Sequence, residues 1–114
     1  MEGNMTVNEL AALIEGKVLS LHGENDIKRG CVCDLLSWVM ARGSEGCAWV
    51  TVQTHLNVVA VASLHEMACV VWPENVEADA ESLAKADEVG VAVISSPLSA
   101  YKIAGLMYEA GVGA

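Results

Sequence analysis

The side chains with the most chemical capacity in this chain stand within seven positions: Thr51, Gln53, Thr54, His55 and Asn57, in TVQTHLN. They supply hydroxyl and carboxamide donors and one imidazole, a group that donates, accepts and titrates near neutral pH. They interrupt an otherwise largely apolar run, CAWVTVQTHLNVVAVASLHEMACVVW. If a helix begins at this turn, its first amides lack intrahelical acceptors and carry partial positive charge, which favours phosphate or carboxylate. The chemistry this group suits is capture of a small anion. The competing explanation is structural: Thr54 caps the helix and His55 bonds a neighbouring loop.

Covalent chemistry finds little support. The chain contains no G-x-S-x-G elbow, P-loop, H-E-x-x-H or G-x-G-x-x-G. Asp34 has the chemistry of a base, and His55 that of an acid/base partner. Asp34 also directly precedes LLSWVMA, where it reads more simply as a helix N-cap. Ser95 and Ser96 follow an apolar run and precede a helix, so they join the same crevice or act as caps. Cys31 and Cys33 form C-x-C, which is not the C-x₂-C zinc hairpin, and no second pair or spaced histidine follows. Cys47 and Cys69 open apolar runs and read as small hydrophobes. The expectation is a non-enzyme with no catalytic residue, no cofactor and no metal.

The elements that position the polar turn follow from periodicity. Residues 47–52, CAWVTV, and 68–72, ACVVW, are short, apolar and rich in β-branched or aromatic side chains, as strands buried on both faces are. Residues 56–67 between them are long enough for three helical turns. Strand, helix and strand in this length make a βαβ unit, and crevices outside strand carboxyl ends are the usual ligand sites. Upstream, Thr6-Val7-Asn8-Glu9 is a capping box, with a helix to Ile14 stopped by Gly16. Residues 17–21 are a strand candidate, 22–26 a polar turn, and 27–33 a short strand interrupted at Gly30. Asp79 caps a helix over 80–89, Gly90 stops it, 91–94 is the last buried strand, and 100–110 the closing helix. This alternation predicts one α/β domain over 1–114, a mainly parallel sheet with flanking helices in layers.

The helix at 56–67 has almost no polar stripe before His65 and Glu66. A helix apolar all round is buried all round. Its far side is covered by other helices of the chain or by the same helix in a second copy, so a homodimer through this helix is expected.

Composition narrows the partners. Apolar residues make up 54% of the 114, which excludes a disordered chain. Asp and Glu number 15 against 6 Lys and Arg, a formal charge of −9, which opposes nucleic acid and acidic membrane surfaces. No run approaches the ~18–20 apolar residues of a membrane span. MEGNMTVNEL shows neither the basic nor the apolar region of a signal peptide. Four cysteines in such a chain fit reduced thiols and a cytoplasmic location.

Three blocks carry a resemblance: GCVCDLLSWVM, WVTVQTHLNVVAVASL and SAYKIAGLMYEAG. Together they resemble the stand-alone DRTGG-domain proteins over roughly residues 6–112, although the DRTGG motif itself is absent. The resemblance implies an α/β layer fold similar to the N-terminal domains of HPr kinase/phosphorylase and of the Mur ligases. It implies a regulatory accessory module that forms dimers and, in stand-alone form, an association with redox or hydrogenase systems. It supplies no catalytic residues. It carries over a location only, with Asp34, Thr51, Gln53, Thr54, His55 and Asn57 at the family's polar positions. The resulting expectation is a non-catalytic regulatory domain sensing a small anionic ligand such as a nucleotide. The alternatives are a ligand-free adaptor for a redox enzyme and an enzyme that uses His55 with Asp34.

Overall fold

The structure, a computed structural model, describes residues 5–114. The first four residues, part of the segment read for a leader, lie outside the described residues. In chain order the elements are β1 (Met5–Thr6), α1 (Val7–Leu13), β2 (Lys17–Val18), β3 (Asp26–Ile27), β4 (Arg29–Val32), α2 (Leu36–Arg42), β5 (Cys47–Val50), α3 (Leu56–Leu64), β6 (Cys69–Trp72), α4 (Ala80–Val89), β7 (Ala92–Ser95) and α5 (Ala100–Glu109).

Five strands form one sheet in the order β2-β7-β6-β5-β4. β4, β5, β6 and β7 run parallel, and β2 joins β7 antiparallel. β1 and β3 make a separate antiparallel pair. The expected α/β fold with a mainly parallel sheet is thus the observed one. The central strands are apolar on both faces because both faces are covered. Ala48, Val50, Cys69, Val71, Ala92 and Ile94 pack with Leu10 of α1 and with Ile103 and Met107 of α5. Cys47, Trp49, Val70, Trp72 and Val93 pack on the other side with Val39, Val58, Val59, Ala62 and Ala86 of α2, α3 and α4. The two-residue alternation along each strand divides the core into these layers.

Local chemistry sets most helix ends. Thr6 and Glu9 form the capping box, with the Thr6 amide donating to Glu9 Oε1 at 2.8 Å. The Asp79 carboxylate accepts from the Ser82 amide, and the Ser99 hydroxyl from the Lys102 amide. Gly90 closes α4 at φ 87°, a left-handed conformation that glycine adopts without a Cβ clash.

The structure corrects several boundaries. The strand expected over 47–52 ends at Val50, where Thr51 turns its hydroxyl into the loop. The helix expected over 56–67 ends at Leu64; the chain reverses at Glu66, φ 55°, and the His65 ring bonds the Met40 carbonyl of α2 at 2.8 Å. Asp34 is not an N-cap: Leu35 holds that position with no side-chain bond, and the Asp34 carboxylate is spent elsewhere. α3 packs on the sheet with α2 and α4 at its sides, and these together bury Val58, Val59, Val61 and Ala62 within one chain. Leu56, Ala60 and Leu64, spaced by four, are left as its outward strip.

Candidate functional site

The carboxyl ends of β4, β5, β6 and β7 lie along one edge of the sheet, and the loop from Thr51 to His55 leaves β5 there. Parallel strands place their following helices with N-termini toward this edge, so the polar turn stands where α3 begins.

The turn is built by tertiary bonds. Asp34 Oδ1 accepts from Thr51 Oγ1 at 2.8 Å and from the Val52 amide at 3.0 Å. The Thr51 hydroxyl in turn accepts from the Gln53 amide at 3.1 Å, and Gln53 Nε2 donates to the Asp34 carbonyl at 3.2 Å. Asp34, Thr51 and Gln53 therefore form one closed network. Thr51 is 1% exposed, with its hydroxyl's donor and acceptor roles both filled. The network joins the end of β5 to the loop after β4.

From below, the core holds the same loops. Trp72 Nε1 donates to the Gln53 carbonyl at 3.0 Å, and Trp49 Nε1 to the Cys33 carbonyl at 2.7 Å. Both indoles are fully buried, so each N–H needs an acceptor, and both find a loop carbonyl at this edge. Ser82, buried in the first turn of α4, donates its hydroxyl to the Thr54 carbonyl at 2.6 Å; the Asp79 carboxylate lies 2.8 Å from the same hydroxyl. Trp49, Trp72, Asp79 and Ser82 were absent from the sequence-based set. For the two tryptophans the signal was a buried indole at or next to the end of a strand, whose N–H must reach a loop; nothing comparable marked Asp79 and Ser82.

The six residues singled out in the sequence thus divide. Asp34, Thr51 and Gln53 brace the turn. Thr54, half-buried, is held through its carbonyl and does not cap the helix. His55 is the N-cap residue, with no side-chain capping bond, and His55 and Asn57 are exposed. The Val58 amide donates to the His55 carbonyl at 3.0 Å, while the amides of Leu56 and Asn57 receive no capping side chain. An anion approaching this edge meets those amides, His55 and Asn57; the Asp34 carboxylate, itself exposed, accepts from two neutral donors of the same turn. The bonds Asp34 makes go to Thr51 and Val52, so it is not the partner of His55 that an acid/base pair needs.

Ser96 belongs to the scaffold: fully buried, it donates its hydroxyl to the Ile14 carbonyl at 2.7 Å and ties the end of α1 to the sheet. At the opposite, amino end of the sheet lies a cavity of about 500 Å³ lined by Asn25, Lys28, Glu45, Glu66 and Gly90. Lys28 bonds Glu45 there at 2.9 Å and holds its carboxyl below the usual range. No cluster of three or more His, Cys, Asp or Glu suited to a metal occurs among the described residues. None of the described helices is long and apolar enough to cross a membrane.

No family model matches the chain, and no curated protein matches it. Among solved structures, the chain is similar to the CBS and DRTGG domains of the regulatory region of Clostridium perfringens pyrophosphatase, in a complex with the activator diadenosine tetraphosphate. The TM-score is 0.74 at 11% identity; the match covers 94% of this chain and 50% of that one. At that identity the likeness is one of fold. This chain corresponds to about half the length of that region.

Proposed function

We propose that this chain is a non-catalytic regulatory domain of the DRTGG kind that senses a small anionic ligand, nucleotide-like in its phosphates, at the start of α3. One observation carries the reading. The turn is braced from Asp34, Trp72 and Ser82, and at its rim the Leu56 and Asn57 amides receive no capping side chain while His55 and Asn57 are exposed. Rigid backing with free donors is the preorganisation that lowers the ordering cost of binding. The similar structure supports it in kind, being a regulatory region with a nucleotide activator. The chain carries a formal charge of −9, so capture of an anion depends on local donors such as these. Calorimetric titration with nucleotides and phosphorylated metabolites tests the reading, and no heat with any of them overturns it.

The domain acts as a homodimer in this proposal, with the second copy resting on the outward strip of α3, Leu56, Ala60 and Leu64. A second reading, an adaptor for a redox enzyme, draws on exposed apolar side chains near the site edge: Val32, Leu35, Trp38 and Val52 are each between 45% and 62% exposed. A domain that binds no anion yet captures a protein partner through Trp38 fits the adaptor.

A further inference from the structure

β4 and β5 place two thiols against each other. Arg29 of β4 pairs with Cys47 of β5, and Cys31, two residues on, leans back across the pair so that its sulfur lies 3.3 Å from that of Cys47. The two differ in access. Cys47 is 2% exposed. Cys31 is half-buried and opens on a groove of about 240 Å³ between the β4 edge and α2, lined also by Arg29, Cys33, Trp38 and Arg42. The Arg42 guanidinium lies 4.7 Å from the centre of the Trp38 ring. Arg29 and Arg42 are two of only six Lys and Arg in a chain of net charge −9. This groove is therefore a place where an anionic small molecule meets a sulfur. Cys33 turns its sulfur to the Leu35 carbonyl, at 3.8 Å, and not to the pair.

We propose that Cys31 is a thiol–disulfide exchange site, modified by a small anionic disulfide that enters this groove, with Cys47 as the residue that positions and activates it. The Cys31 thiolate attacks one sulfur of the reagent. The reagent's S–S bond breaks, its other half leaves as a thiolate, and a Cys31–S–S–R bond forms. The incoming disulfide is the oxidant and yields one equivalent of thiol; the Cys47 proton stays on Cys47. The hydrogen bond from the Cys47 thiol holds Cys31 below the ordinary thiol range, against the opposing effect of partial burial. The same bond, then burial, holds Cys47 above it. The thiol that is lowered is the more accessible of the two, as exchange requires. The titratable and charged groups around the grooves that Cys31 lines are Cys47 on β5, Arg29 and Cys33 beside it, Arg42 on α2, and Tyr108 of α5 with Ala114 on the other side.

The test is the reaction of the reduced, folded protein with oxidised glutathione, followed by intact-mass measurement and peptide mapping. The expected product carries one adduct on Cys31, or a Cys31–Cys47 bridge made in a second step, in which Cys47 attacks the Cys31 sulfur, gives up its proton, and expels the second glutathione as its thiol. Cys31→Ser abolishes it under the same conditions. Cys47→Ala shifts the pH midpoint of the Cys31 reaction upward and slows it several-fold at neutral pH; Cys47→Ser, which restores a donor, recovers much of the rate. First reaction at Cys33, a Cys31 rate no higher than in the urea-unfolded chain, or an unchanged pH profile in Cys47→Ala overturns the proposal. The wild-type and Cys31→Ser arms stand even if the Cys47 variants fail to fold.

Discussion

Asp34 and Thr51, seventeen positions apart, meet through a 2.8 Å hydrogen bond from the threonine hydroxyl to the aspartate carboxylate. The contact joins the end of β4's loop to the end of β5 and shapes the backbone from which α3 starts. Asp34→Ala leaves the Thr51 hydroxyl and the Val52 amide without their acceptor and is expected to cost about 1–3 kcal/mol. Asp34→Asn keeps a neutral acceptor and costs less. Urea unfolding of both variants at unchanged m-value measures the difference.

Trp72→Phe keeps most of the buried ring but removes the donor to the Gln53 carbonyl. The expected loss is about 1 kcal/mol of stability, plus a weaker anion affinity although the ring faces the core. Calorimetry and urea melts on one preparation separate the effects; full affinity in Trp72→Phe removes the indole from the support of the turn.

The parallel sheet and the place of the turn were legible because the signals are local. CAWV and CVVW read as strands covered on both sides, being short and rich in β-branched and aromatic residues, and the polar residues of TVQTH stand between largely apolar neighbours. The role of Asp34 was not legible, because Asp before LLSWV satisfies the cap pattern equally well and nothing nearby reports a hydroxyl seventeen residues later. The cover over α3 was hidden for a similar reason. Val58, Val59, Val61 and Ala62 demand burial, and hydropathy does not distinguish α2 and α4 from a second copy. The antiparallel direction of β2 and the β1–β3 pair rest on two-residue contacts too short to leave a period.

Alkaline pH should weaken the fold. Burial pushes the Cys69 thiol up, and the bond to Cys31 together with burial pushes Cys47 up. A thiol held protonated in the fold but free to ionise in the unfolded chain contributes stability that is complete below the unfolded thiol range. That stability is lost as pH rises past about 8.5, at about 1.4 kcal/mol per pH unit per thiol. Urea midpoints under reductant from about pH 8 to about pH 9.5 should fall, and less steeply in Cys69→Ala.

Two substitutions on α3 separate packing from association. Val59 is 0% exposed in the core layer that holds Trp49, Val70 and Ala86, so Val59→Asp buries an unpaired charge and should unfold the chain. Ala60→Asp lies on the outward strip and should leave the fold intact while dissociating a dimer of twice the 12.0 kDa chain mass. Sedimentation equilibrium reads this directly. A wild-type monomer at micromolar concentration removes the dimer from the account.

The central claim is that an anion binds at the rim of the braced turn, over the first amides of α3, His55 and Asn57. The most direct measurement is a calorimetric titration of a nucleotide into wild type and His55→Ala in one buffer. The predicted result is binding by the wild type and weaker binding by His55→Ala with the fold unchanged, because the variant lacks the imidazole donor beside the amides. Equal affinities in the two titrations, or no binding in either, contradict the claim.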